Sequence, residues 1–392
     1  MTAKPMTVGR RRERLSDTTI LMMVAIFFFV AMYLFAYKCL GVGFTRPARV
    51  FDILNDNAYL IILGCGLSLV MITGSIDISV GGIVGFVTMF GAAFLRGDIL
   101  PTPGMDPNLR IALAVCIAVA IGLAFGAFQG SLIAYLDIQP FIVTLAGMFF
   151  SRGLITMTSG ANIPLSGTEQ GKLSDMILSQ RIVIPELGYD EYKGLKGQLF
   201  HVPAYVEYII FVAIAVVVIV AVVLSRTKLG RHFYAVGGNR QSALMLGINV
   251  RRTRFLAHLI CGLLAGIAGF VYLWHIKAGN IEGAKAAEMQ AIASSIIGGT
   301  LLTGGVGNVI GTVFGVLILA MIRPMVDDAA TIKGFEWLSK SYWQQIFNGG
   351  VLSFFILMQS VLLKARSAIA AKKGGNETVK KKEPIALGAE SK

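Results

Sequence analysis

Long stretches free of Asp, Glu, Lys and Arg recur along the chain, at Ile20–Tyr37, Ala58–Ile76, Ile78–Leu95, Ile111–Leu136, Ile138–Ser151, Tyr208–Ser225, Phe255–Ile276, Met289–Ile322 and Ser341–Leu363. About 20 apolar residues carry a helix across a bilayer, so these stretches predict membrane helices. Met289–Ile322 holds 34 residues. As one helix it would measure about 51 Å against a hydrocarbon core of about 30 Å, so it must break. Glycines at 298, 299, 304, 305, 307, 311 and 315 mark the place and predict two short or partly re-entrant helices. The pattern as a whole predicts an all-α polytopic membrane protein of about ten helices, some broken at Gly-rich points.

Charge placement gives the orientation. Short cytoplasmic loops collect Lys and Arg. The segment Ser225 to Arg254 carries Arg226, Lys228, Arg231, Arg240, Arg251, Arg252 and Arg254 with no acid. The tail carries Lys372, Lys373, Lys380, Lys381 and Lys382, and Arg10-Arg11-Arg12-Glu13-Arg14 precedes the first apolar run. All three fall on one side when both termini are cytoplasmic. The expected organisation is a basic amino-terminal segment over 1–17, a transmembrane domain over 18–363 and a basic, disordered tail over 364–392. Within the domain, 160–203 is an extracytoplasmic loop of mixed charge and 225–254 a cytoplasmic loop. The first run lacks the short apolar core and small-residue cleavage site of a signal peptide and reads as a retained span.

Composition agrees with the pattern: 55% of residues are hydrophobic, 15% are charged and the mean hydropathy is +0.71. Soluble domains carry about 25% charged residues. The formal net charge of +13 does not indicate nucleic acid, because the basic residues sit between apolar runs rather than over an exposed phosphate-binding face. Cys39, Cys65, Cys116 and Cys261 lie within or beside apolar runs with no paired spacing, which argues against disulfides and zinc.

The motifs of catalysis are missing. No GxxxxGK[ST] phosphate cradle, HExxH or GxSxG occurs, and His201, His232, His258 and His275 are scattered. The expectation is a transport subunit without its own ATPase site, catalytic residue, metal or cofactor. Asp77 is the exception in an apolar stretch, within Ile72-Thr73-Gly74-Ser75-Ile76-Asp77-Ile78-Ser79-Val80-Gly81-Gly82. An ionisable group there costs about 2.5–3.5 kcal/mol on insertion scales and faces a cavity or a partner. The surrounding glycines and hydroxyls suit a broken helix. Asp77 either caps the following helix or lines a solute pathway. In the basic loop, Asn239 can cap a short helix that Gly247 ends. Such an element either docks into a soluble partner or lies on anionic lipid.

Four segments and one further short match carry a resemblance to the permease subunits of bacterial sugar ABC importers, the group with the ribose, xylose, galactose and galactofuranose permeases. Met71 to Gly82 resembles its ITGGIDLSVG stretch, and Gln139 to Met148 with Ser151-Arg152-Gly153-Leu154 its PPFIVTLGTM…RGL stretch. Gly237 to Val250 resembles GGNxEAARLSGINV, Ile296 to Gly311 resembles IGGTSLTGGxGSVxG, and Tyr342-Trp343-Gln344-Gln345 matches a final FWQ. The resemblance runs from Ile20 to Leu363 in order.

It implies two permease chains, identical or different, with two ABC ATPase subunits below, which bind ATP and Mg, and a periplasmic or lipid-anchored sugar-binding protein above. It places the assembly in the bacterial cytoplasmic (inner) membrane. It also implies that Gly237, Gly238, Asn239, Gln241, Ser242, Ala243 and Gly247 belong to the ATPase-coupling helix. Gln241, Ser242 and Leu244 stand where Glu, Ala and Arg are usual, Ser75 where Gly is usual, and Gln129 for an Asn. Sugar needs polar groups along its path, so Thr73, Asp77, Ser79, Gln139, Thr144, Ser294 and Gln344 are pathway candidates. The alternative is an ion-coupled secondary transporter using Asp77, a class that usually shows several intramembrane acids.

Overall fold

The computed structural model describes residues 17–40, 44, 48–100, 104–184, 189–193, 199–332 and 334–380. The basic stretch Arg10–Arg14 and the lysines at 381 and 382 lie outside the described residues. The chain folds into α1 (Asp17–Cys39), α2 (Ala48–Ile72), α3 (Val80–Arg96), α4 (Pro107–Tyr135) and α5 (Pro140–Thr158). A polar excursion follows with β1 (Ile163–Pro164), α6 (Glu169–Leu178), β2 (Arg181–Val183), β3 (Tyr189–Lys193), β4 (Leu199–Pro203) and β5 (Tyr205–Glu207). Then come α7 (Tyr208–Arg226), α8 (Lys228–Gly238), α9 (Arg240–Met245), α10 (Val250–Ile276), β6 (Ala278–Gly279), α11 (Ala287–Ile297), α12 (Val309–Ala329) and α13 (Ser341–Lys380).

Among the described residues seven helices are long and apolar enough to cross a membrane: α1, α2, α4, α5, α7, α10 and α12. α3 and α11 hold 17 and 11 residues. The long run breaks where its glycines cluster, between Ile297 and Val309, with positive φ at Gly299, Gly304 and Gly305. Only residues lacking Cβ adopt that backbone readily. Helix starts follow the local sequence. Asp106 accepts from Asn108 N ahead of Pro107 at the start of α4, Asn249 accepts from Arg252 N at α10, and Asn308 accepts from Ile310 N at α12. α13 continues to Lys380, past the expected end at Leu363, first through the Ala- and Lys-rich residues 364–373, which are mostly strong helix formers, and then through Gly374-Gly375-Asn376, which are not.

α2, α3 and α10 form the centre. One apolar core unites Leu60, Leu63, Leu67, Val84, Ala257, Ala265 and Leu273 from these helices. α4 crosses α10 on small residues, because a Cβ on Gly126 would lie 2.7 Å from the His258 carbonyl oxygen and one on Gly262 2.7 Å from Gly126 Cα. The described residues of the 160–203 segment form short elements at the end opposite the basic loop. β1 pairs antiparallel with β6, β2 with β5 and β3 with β4. Thr168 donates to Arg96 O at 2.7 Å and Trp274 Nε1 to Leu178 O at 2.9 Å, so the segment is anchored on α3 and α10. At that end His275 lies 2.9 Å from Glu207 and 3.3 Å from Asp56, joining α10 to β5 and α2.

Candidate functional site

The chain between α2 and α3 leaves helical geometry over residues 73–79 while still inside the bundle. Gly74 takes a positive φ of 76° to make the turn. Asp77 follows on this unwound strand, almost fully buried, and its Oδ1 accepts from Ser79 N at 3.0 Å and Ser79 Oγ at 2.6 Å. This is an Asx turn around Ser79 rather than a bond to the first N–H groups of α3. Ser79 Oγ also lies 2.9 Å from the Gln129 side-chain oxygen position. A serine hydroxyl carries one hydrogen, and the short bond to the carboxylate claims it. We therefore assign the Gln129 amide with its NH2 toward Ser79, which pairs a buried nitrogen otherwise without a partner.

His258 of α10 completes the cluster. Its Nδ1 lies 3.6 Å from Asp77 Oδ2, the ring is fully buried, and neither ring nitrogen makes a hydrogen bond. His258 is eight residues into α10, so at 1.5 Å per residue the cluster lies about 12 Å from the basic end. Carboxylate, hydroxyl, amide and imidazole thus converge from the unwound segment before α3, from α4 and from α10, with spare hydrogen-bonding capacity, a set suited to hydroxyl-rich solutes or water.

At the basic end, α8 and α9 form a compact outside element. Asn239 Oδ1 accepts from Ser242 N at 2.8 Å to cap α9, and Gly247, at φ 75°, ends it with Gly247 N bonded to Leu244 O and Ile248 N to Ala243 O. Ala243 is buried against Val236, Val250 and Ile248, whereas Leu244, Met245 and Leu246 project outward, Met245 at 82% exposure. Asp137, in the α4–α5 turn, takes 2.8 Å and 3.2 Å contacts from Arg254 and Arg240. The Arg254 hydrogen bond, then the Arg240 charge, hold the Asp137 carboxyl below its ordinary range. Beside this tether a cleft of about 460 Å³ is lined by Thr73, Gly74, Asn239, Gln241, Arg254 and Thr303, among others.

The pathway candidates do not form one group. Asp77 and Ser79 meet in the buried cluster, and Thr73, on the same unwound segment, donates to Val70 O and borders the cleft. Thr144 is buried on α5 and donates to Pro140 O, and Ser294 is buried on α11 and donates to Gln290 O. Gln139 is exposed before α5, and Gln344 donates to Asp327 at 3.0 Å near the far end of α12. All the coupling candidates, Gly237, Gly238, Asn239, Gln241, Ser242, Ala243 and Gly247, lie on or beside α9. Sequence reasoning gave His258 only as one of four scattered histidines, counted Arg254 only toward orientation, and gave no contact to Gln129 or Asp137. A signal existed for two of them: Arg254 and His258 stand four apart, on one face of α10.

The sequence profile of a family described as "Branched-chain amino acid transport system / permease component" matches residues 49–356. The "Inner membrane ABC transporter permease protein YjfF" of Escherichia coli (strain K12) is 36% identical over 86% of this chain and 91% of that protein. The "Fructose import permease protein FruG" of Bifidobacterium longum is 30% identical over 92% and 97%, and the "Xylose transport system permease protein XylH" of Haemophilus influenzae 32% identical over 79% and 88%. No solved structure matches the chain. With its apolar helices and a profile match spanning most of its length, the chain belongs to this family of multi-pass ABC transporter permeases of the inner membrane.

Proposed function

We propose that this chain is the membrane-spanning half of an ATP-driven importer of a simple sugar, crossing the membrane about ten times with both termini in the cytoplasm. ATP and Mg are bound by ABC ATPase subunits that dock on α9, and a solute-binding protein delivers sugar to the end carrying β1 to β5. A second permease chain, identical or different, completes the transmembrane unit. The observation that carries this reading is α9: a capped, rigid helix whose Leu244–Leu246 tip projects from the basic end while Ala243 packs inward. The fructose and xylose named for the relatives support sugar as cargo. The cluster of Asp77, Ser79, Gln129 and His258 supplies the polar contacts that a hydroxylated solute needs inside an apolar bundle.

The test is co-purification of the chain with its ATPase subunits and binding protein, followed by reconstitution and a screen of sugars for stimulation of ATP hydrolysis. Gly247 takes a φ of 75°, so Gly247→Leu strains the end of α9. It should abolish sugar-stimulated hydrolysis while the chain still inserts in the membrane. Hydrolysis unchanged in Gly247→Leu would refute docking through α9.

A further inference from the structure

We propose that the motion of the coupling element enters the membrane through a three-way backbone junction of glycines, with Gly237, Gly305 and Tyr234 as its positioning residues. This rests on the docking role proposed for α9. The end of α8, the end of α2 and the turn between α11 and α12 meet here with no side chain between them. A Cβ on Gly237 would fall on the Ile72 carbonyl oxygen and lie 2.6 Å from Gly305 N. One on Gly304 would lie 2.7 Å from Gly74 N, and one on Gly305 2.6 Å from Gly238 Cα. Real Cβ atoms are not found that close to backbone atoms, so the three segments are locked in direct contact.

Two hydrogen bonds fasten the junction. Gly305 N donates to Ile72 O at 2.8 Å, joining the turn to α2, and Tyr234 Oη donates to Gly307 O at 2.9 Å, joining α8 to the turn. What lies beyond it gives the junction its leverage. The Ile72 side leads through the unwound segment to Asp77, Ser79 and α3, and the Gly305 side leads back to α11. Both are short helices, of 17 and 11 residues, that begin inside the bundle. α7 and α10, which connect α8 and α9 covalently to the bundle, are unbroken at 19 and 27 residues. A displacement of α8 bends a long packed helix along the covalent route, whereas through the junction it pivots two short ones. Deeper in, Ser68 lies 3.1 Å from Ser295 and 2.7 Å from Thr312, so α2, α11 and α12 are pinned together beyond the turn.

The reporter is Thr73→Cys, on the unwound segment at the edge of the cleft, with the exposed Cys39 and Cys116 replaced by alanine. The chain is reconstituted with its co-purified ATPase subunits, and the labelling rate of Cys at 73 by a membrane-impermeant maleimide is compared between nucleotide-free protein and protein trapped with ATP and vanadate. The expected ratio between the two states is roughly fivefold or more. Gly305→Ala brings it close to one, and Tyr234→Phe, which removes a single hydroxyl and leaves folding intact, cuts it roughly twofold or more. ATP hydrolysis followed in the same samples separates the outcomes. ATPase subunits that do not co-purify overturn the docking role, and this proposal falls with it. A complex that hydrolyses ATP while the labelling ratio stays at one, or one in which both variants keep the full ratio, overturns the junction and leaves α9 docking in place. Should Gly305→Ala fail to accumulate, Tyr234→Phe alone decides.

Discussion

Removing the Asp77 carboxylate tests the buried cluster most directly. Asp77 Oδ1 accepts two hydrogen bonds, from Ser79 N at 3.0 Å and Ser79 Oγ at 2.6 Å, and Oδ2 faces His258 Nδ1 at 3.6 Å. Hydrogen bonds to a charged group contribute about 1.5–3 kcal/mol each, and their loss strands buried donors on Ser79. Asp77→Ala should therefore cost about 2–6 kcal/mol, from about 1–3 kcal/mol for each of the two Ser79 donors left unpaired. Asp77→Asn keeps the oxygen that Ser79 uses and gives up only the charge, so it should cost about 1–2 kcal/mol. Cys65 and Cys261 are buried free thiols and serve as built-in reporters. Thermal unfolding in detergent with a thiol-reactive fluorogenic dye reads their exposure above the baseline from the exposed Cys39 and Cys116. Repeating Asp77→Asn in a His258→Ala background isolates the contact between the two side chains, with an expected coupling of about 1 kcal/mol. The reasoning fails if Asp77→Ala unfolds no earlier than Asp98→Ala, a change at a partly exposed carboxylate paired with Arg96. It fails in its electrostatic part if Asp77→Asn costs the same with and without the imidazole.

Substitution of Gly262 by valine should separate α4 from α10, because even a single Cβ there meets Gly126 Cα at 2.7 Å. Overpacking of this sort costs about 1–3 kcal/mol or more, read as a lower midpoint in the thiol assay, whereas Gly153→Ala, whose added Cβ meets nothing, should leave the midpoint unchanged or raised. Asp137 gives a pH prediction. Its carboxyl is held low by Arg254 and Arg240, so its contribution is present above the unfolded value of about 3.9 and is lost only as the pH falls through the lower folded value. Amide exchange over residues 239–249 should therefore keep the same protection factors between pH 5 and 8 once corrected for intrinsic rates, and Asp137→Asn should lower them at every pH in that window. A loss of protection in the unmodified chain near pH 5 would contradict this.

Much of the architecture was legible because lipid imposes a simple rule: a crossing segment must be long and apolar. The break after Ile297 was legible too, since no helix of that length fits a bilayer and the glycines mark where it ends. The pairing of the short strands described within 160–207 was not. These strands have only two to five residues, and two pair with partners distant in sequence, β1 with Ala278–Gly279 and β2 with Tyr205–Glu207. Such pairing has no local period to detect. The Asp77 cluster was half legible. An acid in an apolar run announces itself, but Gln129 and His258 are about 50 and 180 positions away and become its neighbours only through the packing of α4 and α10 against α3. The glycines were legible as a break and illegible as contacts: Gly304-Gly305 reads as the place where a helix ends, yet in the fold these residues touch Gly74 and Gly238.

The basic loop illustrates the same limit and resolves it. In the sequence its arginines are equivalent, each counting toward orientation and each available for docking. In the fold they divide by position. Arg226, Lys228, Arg231, Arg251 and Arg252 are exposed at the ends of α7, α8 and α10, the loop-flanking positions that the positive-inside rule counts. Arg254 is only 11% exposed along its side chain and, with Arg240, grips Asp137 from the α4–α5 turn. Orientation needs only a positive charge on that side of the bilayer, so lysine serves as well as arginine. The grip on Asp137 draws one guanidinium from the first residue of α9 and one from α10, and one of the pair is nearly buried, a geometry in which Arg and Lys are not interchangeable. One stretch of sequence therefore holds two sets of cations: the exposed ones, which the positive-inside rule counts, and the Arg240–Arg254 pair, which ties α9 to the α4–α5 turn through Asp137.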